Sequence, residues 1–114
     1  MGKLNVIGLG YIGLPTSLMF AANGIEVVGT DLNTKLVDTL NEGKLTFEEE
    51  GLEEVFNTAL SKGIEFKTEY EKTNRYIITV PTPYMATSKQ IDATYVVAAT
   101  KQVLEVCEPN TILV

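Results

Sequence analysis

This 114-residue sequence predicts an α/β fold, a doubly wound parallel sheet with helices on both faces. Three observations carry that prediction. Short apolar, β-rich runs alternate with stretches of helical periodicity, the order that builds parallel strands joined by helical crossovers. The first run, Leu4-Asn5-Val6-Ile7, passes directly into the glycine turn Gly8-Leu9-Gly10-Tyr11-Ile12-Gly13 and then into an amphipathic stretch. Further on, Tyr76-Ile77-Ile78-Thr79-Val80 is an unbroken β-rich run, as expected of a central parallel strand buried on both faces.

The elements follow in order. Residues 3–7 read as a buried strand, and residues 11–23 as a helix with Leu14, Leu18 and Ala22 on its apolar face. Pro15 falls near the first turn, where a missing N–H costs least, and Asn23-Gly24 suits a left-handed exit. Residues 25–30 form the second strand. A second helix over 33–42 turns Leu36, Val37 and Leu40 inward and stops at Gly43. The acidic run Glu48-Glu49-Glu50-Gly51-Leu52-Glu53-Glu54 leads into a third helix, with Leu52, Val55, Phe56, Ala59 and Leu60 at helical spacing. Acids in a first turn favour the helix dipole, so the run reads as a solvated helix start, with a metal or substrate role as the alternative. Ile64-Glu65-Phe66-Lys67 alternates as a short strand before the run at 76–80. A long polar loop spans 81–91, and Asp92 caps a helix from about 93 to 107, with Val96, Thr100, Val103 and Cys107 on one face. Thr111-Ile112-Leu113-Val114 begins another strand.

Bulk properties narrow the function. A net charge of −6 provides no basic stripe for nucleic acid or anionic membrane, so neither is expected as a partner. Cys107 is the single cysteine, which rules out an intrachain disulfide and a cysteine metal cluster. It reads as a small core residue, the alternative being a reactive thiol. Histidine, the commonest general base and metal ligand, is absent. No metal site is expected. No run approaches the roughly 20 apolar residues of a membrane span, and Met1-Gly2-Lys3 enters a strand at once, without a signal-peptide pattern. A cytoplasmic location is the expectation.

The glycine turn carries the chemistry. Gly8 permits the tight turn, Gly10 lets a diphosphate approach the backbone, and Gly13 brings helix close to strand. The N–H groups that open the helix attract an anion. A bare G-x-G-x-x-G is weak, but here it links a strand to a helix. The second strand ends at Asp31, close to the roughly 20-residue separation expected of an acid that binds the adenosine ribose hydroxyls. A carboxylate there repels a 2′-phosphate and so favours NAD over NADP. Asp31 also reads as a helix N-cap before Leu32-Asn33-Thr34. In a doubly wound sheet the ligand lies at the carboxyl ends of the strands, where strand order reverses, which aligns Gly8, Asp31 and Val80-Pro81-Thr82-Pro83 along one edge. Thr82 offers a hydroxyl to the dinucleotide, or the segment is a rigid turn that touches no ligand.

Three motifs together, G-L-G-Y-I-G-L-P at 8–15, V-P-T-P at 80–83 and Asp92-x-x-Tyr95-Val96, resemble the UDP-glucose/GDP-mannose dehydrogenase family. The resemblance covers essentially the whole chain, including Asn41-Glu42-Gly43 and Glu50-Gly51-Leu52. Asp31-Leu32-Asn33 and residues 86–90 are most similar to its UDP-N-acetylmannosamine-oxidising branch.

The resemblance implies a Rossmann-type NAD-binding domain at 1–114, the N-terminal part of an enzyme that oxidises C6 of a UDP-sugar to a carboxylate with two NAD. It implies that Gly8, Gly10 and Gly13, with the amides of Tyr11 and Ile12, hold the diphosphate. Asp31 holds the ribose, Lys35 is the basic residue past that acid, and Val80, Pro81 and Thr82 flank the cofactor. Where the family commonly has a proline before Gly51, this chain has Glu50. The family's catalytic cysteine, lysine and aspartate, its central helix and its substrate domain are expected beyond Val114, so no catalytic residue is assigned here. Cys107 matches no catalytic position. The full enzyme is expected to be a homodimer or larger, and the chain alone to bind NAD without chemistry. A stand-alone NAD-sensing module remains the alternative; a flavin or S-adenosylmethionine site suits the third glycine and Asp31 less well.

Overall fold

The computed structural model describes residues 3–80, 84–85, 90–91, 94–107 and 111–114. Its elements run β1 (Leu4–Ile7), α1 (Gly13–Ala22), β2 (Val27–Thr30), α2 (Thr34–Asn41), α3 (Leu52–Ser61), β3 (Glu65–Lys67), β4 (Arg75–Ile78), β5 (Tyr84–Met85), β6 (Gln90–Ile91), α4 (Thr94–Val106) and β7 (Ile112–Leu113). Five strands form a parallel sheet in the order β3-β2-β1-β4-β7. The chain winds outward from β1 to β3, then returns to the other side of β1 as β4. The strand order therefore reverses between β1 and β4, as the doubly wound reading expects.

Two cores lie on the two faces. Leu4 and Val6 of β1 join α1, α2 and α3 through Leu14, Leu18, Val37, Leu40, Leu52 and Phe56. Ile7 and Tyr76 face the other way and pack on Ala99 and Val103 of α4. This is the period of two along a strand, with each face given its own apolar partners.

Several details depart from the sequence reading. In α1, Ala21 is buried and Ala22 only half-buried. Four-residue steps from Leu14 overshoot a turn by about 40° each, so the stripe drifts and a three-residue step restores it. Leu60 is exposed for the same reason, with Ala59 taking the inner place on α3. The buried seam of α4 is Ala99 and Val103, while Val96, Thr100 and Cys107 are half-buried beside it. The β4 strand ends at Ile78, and only Tyr76 in it is buried, because its outer neighbour β7 is two exposed residues. Residues 84–91 are not all loop: β5 and β6 pair antiparallel, Tyr84 opposite Ile91. Pro83 and Asp92, like the cofactor candidates Pro81 and Thr82, lie outside the described residues.

Helix ends follow local chemistry. Gly24 N–H bonds Ala21 O and Ile25 N–H bonds Phe20 O, the pair of contacts that closes a Schellman exit. Asn33 caps α2, its side-chain oxygen accepting from the Leu36 N–H at 3.2 Å. Asp31 is therefore not the cap.

The crossover from β3 to β4 contains no helix. Residues 68–74 connect β3 to β4 under the α4 face, tied to the sheet by a buried polar group. Asn5, in the middle of β1 and fully buried, donates to Val28 O at 2.9 Å and Thr30 Oγ1 at 2.8 Å. Its own oxygen accepts from the Glu71 N–H at 3.0 Å. Thr30 Oγ1 in turn donates to Glu69 O at 2.9 Å. A buried amide is tolerable only when its polar atoms are paired, and these are.

Candidate cofactor site

The carboxyl ends of β1, β2 and β4 meet at the point of reversal. Gly8 N–H bonds Thr30 O at 2.7 Å and Thr79 N–H bonds Ile7 O at 2.8 Å, so the chain leaving β1 is held from both sides. Gly8 has φ +95°, and a Cβ there would sit 2.8 Å from Thr79 O. Gly13 is tighter still: a Cβ would lie 1.7 Å from Gly8 O and 2.3 Å from Thr79 Oγ1. Only glycine fits where α1 begins against β1 and β4. Thr79 Oγ1 donates to Gly8 O at 2.8 Å, fastening the turn to the β4 exit. In sequence alone, Thr79 reads as an ordinary strand residue.

Gly10 differs from its neighbours. A Cβ there would meet nothing within 4 Å, so the missing side chain leaves open space above the helix start. Ile12 stands at the N-cap of α1 and makes no side-chain cap. The first turn's backbone bonds begin with the Leu14 and Thr16 N–H groups. Those of Tyr11 and Ile12 thus have no partner among the described residues. They sit where the helix dipole is positive, beside the space left by Gly10, an arrangement that binds a diphosphate. The Tyr11 side chain points outward, 80% exposed, and its ring rests on Phe47 at 4.8 Å between centroids.

Leu9, between the first two glycines, is fully buried. Its side chain lies over Gly29, whose hypothetical Cβ would meet Leu9 Cδ2 at 2.9 Å and Phe66 Cδ1 at 3.0 Å. Its N–H donates to Asp31 Oδ2 at 3.0 Å. Asp31 Oδ1 accepts from the Asn33 N–H at 2.9 Å. Two bonds leave about half of a carboxylate's lone-pair capacity unused among the described residues, enough to accept from a ribose diol.

Beside this acid opens a cleft of about 550 Å³, lined by Gly8, Asp31, Leu32, Glu69, Tyr70, Val80, Ala98 and Gln102 among others. Three of the expected cofactor residues, Gly8, Asp31 and Val80, share it. Gly10, Tyr11, Ile12 and Gly13 belong to the adjoining turn. Lys35 does not line the cleft; it is exposed in the first turn of α2 and makes no ion pair among the described residues. Tyr70 was not anticipated from sequence. Burial, and behind it the Asp31 charge, pushes its phenol above the ordinary value.

Cleft, glycine turn and acid define a dinucleotide-binding domain of the doubly wound class. Residues 2–114 match the model of the UDP-glucose/GDP-mannose dehydrogenase family, NAD binding domain. The chain belongs to that family. It is 41% identical over 116 aligned residues to the UDP-N-acetyl-D-mannosamine dehydrogenase of Methanococcus maripaludis, covering 98% of this chain and 27% of that protein. It is 38% identical to the NDP-N-acetyl-D-galactosaminuronic acid dehydrogenase of Ralstonia nicotianae, covering 97% of this chain and 26% of that protein. The solved UDP-N-acetyl-mannosamine dehydrogenase of Staphylococcus aureus superposes with a TM-score of 0.92 at 40% identity, over 97% of this chain and 27% of that one. The chain thus spans about a quarter of the length of these relatives. No helix among the described residues is long and apolar enough to cross a membrane.

Proposed function

We propose that residues 1–114 are the NAD-binding domain of a dehydrogenase that oxidises the C6 hydroxyl of a UDP-sugar to the uronate with two NAD, the sugar being UDP-N-acetylmannosamine. The observation that carries the cofactor half of this reading is the Leu9–Asp31 bond, which holds a carboxylate with spare acceptors beside an uncapped helix start. Tyr11 and Ile12 N–H groups hold the diphosphate, Gly10 gives it room, and Gly8 and Gly13 hold the turn that aims them. Asp31 takes the adenosine ribose, Lys35 is the basic residue that follows it, and Val80, Pro81 and Thr82 flank the cofactor. NAD, when bound, supplies the hydride acceptor.

The named relatives support the sugar assignment, two of the three being UDP-N-acetylmannosamine dehydrogenases. The central helix, the substrate domain and the cysteine, lysine and aspartate of the oxidation belong to sequence beyond residue 114, in a homodimeric or larger cytoplasmic enzyme. Calorimetric titration of the chain with NAD and NADP tests the cofactor half: NAD binds and NADP binds far more weakly. Equal binding of the two overturns the ribose assignment. Oxidation of any UDP-sugar by the 114-residue chain alone overturns the placement of the chemistry.

A further inference from the structure

We propose that Tyr70 is a specificity-determining residue of the cofactor cleft, its phenol hydroxyl donating to the adenosine ribose hydroxyls while Asp31 accepts from them. This rests on the NAD reading above.

The backbone around Tyr70 is fixed to the end of β2 and to β1 at successive points. Asp31 N–H bonds Lys67 O at 3.2 Å, Thr30 Oγ1 bonds Glu69 O at 2.9 Å, and Glu71 N–H bonds the buried Asn5 at 3.0 Å. The residues on either side of Tyr70 are thus both held by one buried polar network. Asn5 costs desolvation in the centre of a core strand, and what its bonds secure is the placement of residues 69–71. The Tyr70 ring packs against the α4-side core, and the residue lines the same cleft as Asp31. Its hydroxyl has no partner among the described residues. A half-buried phenol without a bond is one that a ligand can complete. Burial and the neighbouring carboxylate keep it protonated, hence a donor at neutral pH.

A ribose hydroxyl is both donor and acceptor, so a carboxylate alone leaves its lone pairs unanswered. The Asp31–Tyr70 pair answers both.

The test uses the 114-residue chain, wild type and Tyr70→Phe, titrated by calorimetry with NAD, ADP, 2′-deoxy-ADP and 3′-deoxy-ADP, with thermal melting alongside. Tyr70→Phe keeps the ring and melts as wild type does. Its NAD affinity falls about three- to tenfold, the size of one neutral hydrogen bond. The preference for ADP over one of the two deoxy nucleotides shrinks by the same factor, a change that a purely structural role does not produce. NAD binding by the wild type with unchanged preferences in Tyr70→Phe overturns the assignment and leaves the cofactor reading standing. Failure of the wild type to bind NAD overturns both.

Discussion

The backbone N–H of Leu9 donates to Oδ2 of Asp31 at 3.0 Å, joining the glycine turn to the acid that follows β2. The two halves of the proposed dinucleotide site, diphosphate cradle and ribose acceptor, are thereby held in one fixed relation before any ligand arrives. Preorganisation of this kind lowers the ordering cost of binding.

Asp31→Ala removes that link together with the proposed ribose acceptor. The bonds lost are to a charged group, worth about 1.5–3 kcal/mol each when well formed. NAD affinity is expected to fall by about ten- to a hundredfold, while NADP, no longer repelled, binds about as well as NAD. Titration of the variant with both nucleotides measures it. A variant that keeps its preference for NAD contradicts the role given to Asp31.

Gly10→Ala and Gly13→Ala separate binding from folding. At Gly10 a methyl group meets open space, so the variant folds and melts like wild type but loses NAD, because the space is the ligand's. At Gly13 it would sit 1.7 Å from Gly8 O, a backbone atom, and the start of α1 must move off β1. Overpacking of this kind costs about 3 kcal/mol or more. Urea unfolding and NAD titration, run on both, should show one variant stable without binding and the other destabilised.

The alternation of elements, the glycine turn and Asp31 were all legible in sequence, because each is a local pattern with its own chemistry. What was illegible depends on contacts between distant residues. Leu9 reads only as the variable position of a motif, yet its side chain lies over Gly29 in the core. Thr79 reads as one more β-branched strand residue, yet its hydroxyl fastens Gly8. Asn5 was the one visible signal: an amide inside a buried apolar strand must find partners, and those partners hold the segment carrying Tyr70. Asp31 was ambiguous between cap and ribose acid because both need the same side chain just before a helix. In the structure the cap falls to Asn33.

Acid sensitivity should localise to the same crossover. The hydrogen bond from Lys67 holds Glu71 below the ordinary carboxylate value; partial burial opposes it, and the charges of Lys67 and Lys3 add to it. A depressed folded pKa means that the stabilisation is fully present above the unfolded value and is lost as pH falls through the folded one. Both side chains keep some solvent contact, 35% and 22% exposed, so the contribution is below about 1 kcal/mol. Glu71→Gln should therefore melt slightly lower than wild type at neutral pH, and the two curves should converge as the solution is acidified. Parallel curves throughout would remove the Lys67–Glu71 pair from the acid response.

Gly29→Ala tests whether the core and the cofactor turn are mechanically one unit. The new methyl group would lie 2.9 Å from Leu9 Cδ2 and 3.0 Å from Phe66 Cδ1, both side chains buried. Phe66 packs with Phe56 at 6.3 Å between ring centroids and has little room to retreat. Leu9 must then yield, and its backbone carries the N–H that meets Asp31. The expected loss of stability is about 1–3 kcal/mol. NAD affinity should also fall, although residue 29 does not line the cleft. If stability falls while NAD affinity measured well below the melting temperature is unchanged, then Leu9 adjusts without moving its N–H, and the turn is held by Thr79 and Asp31 alone.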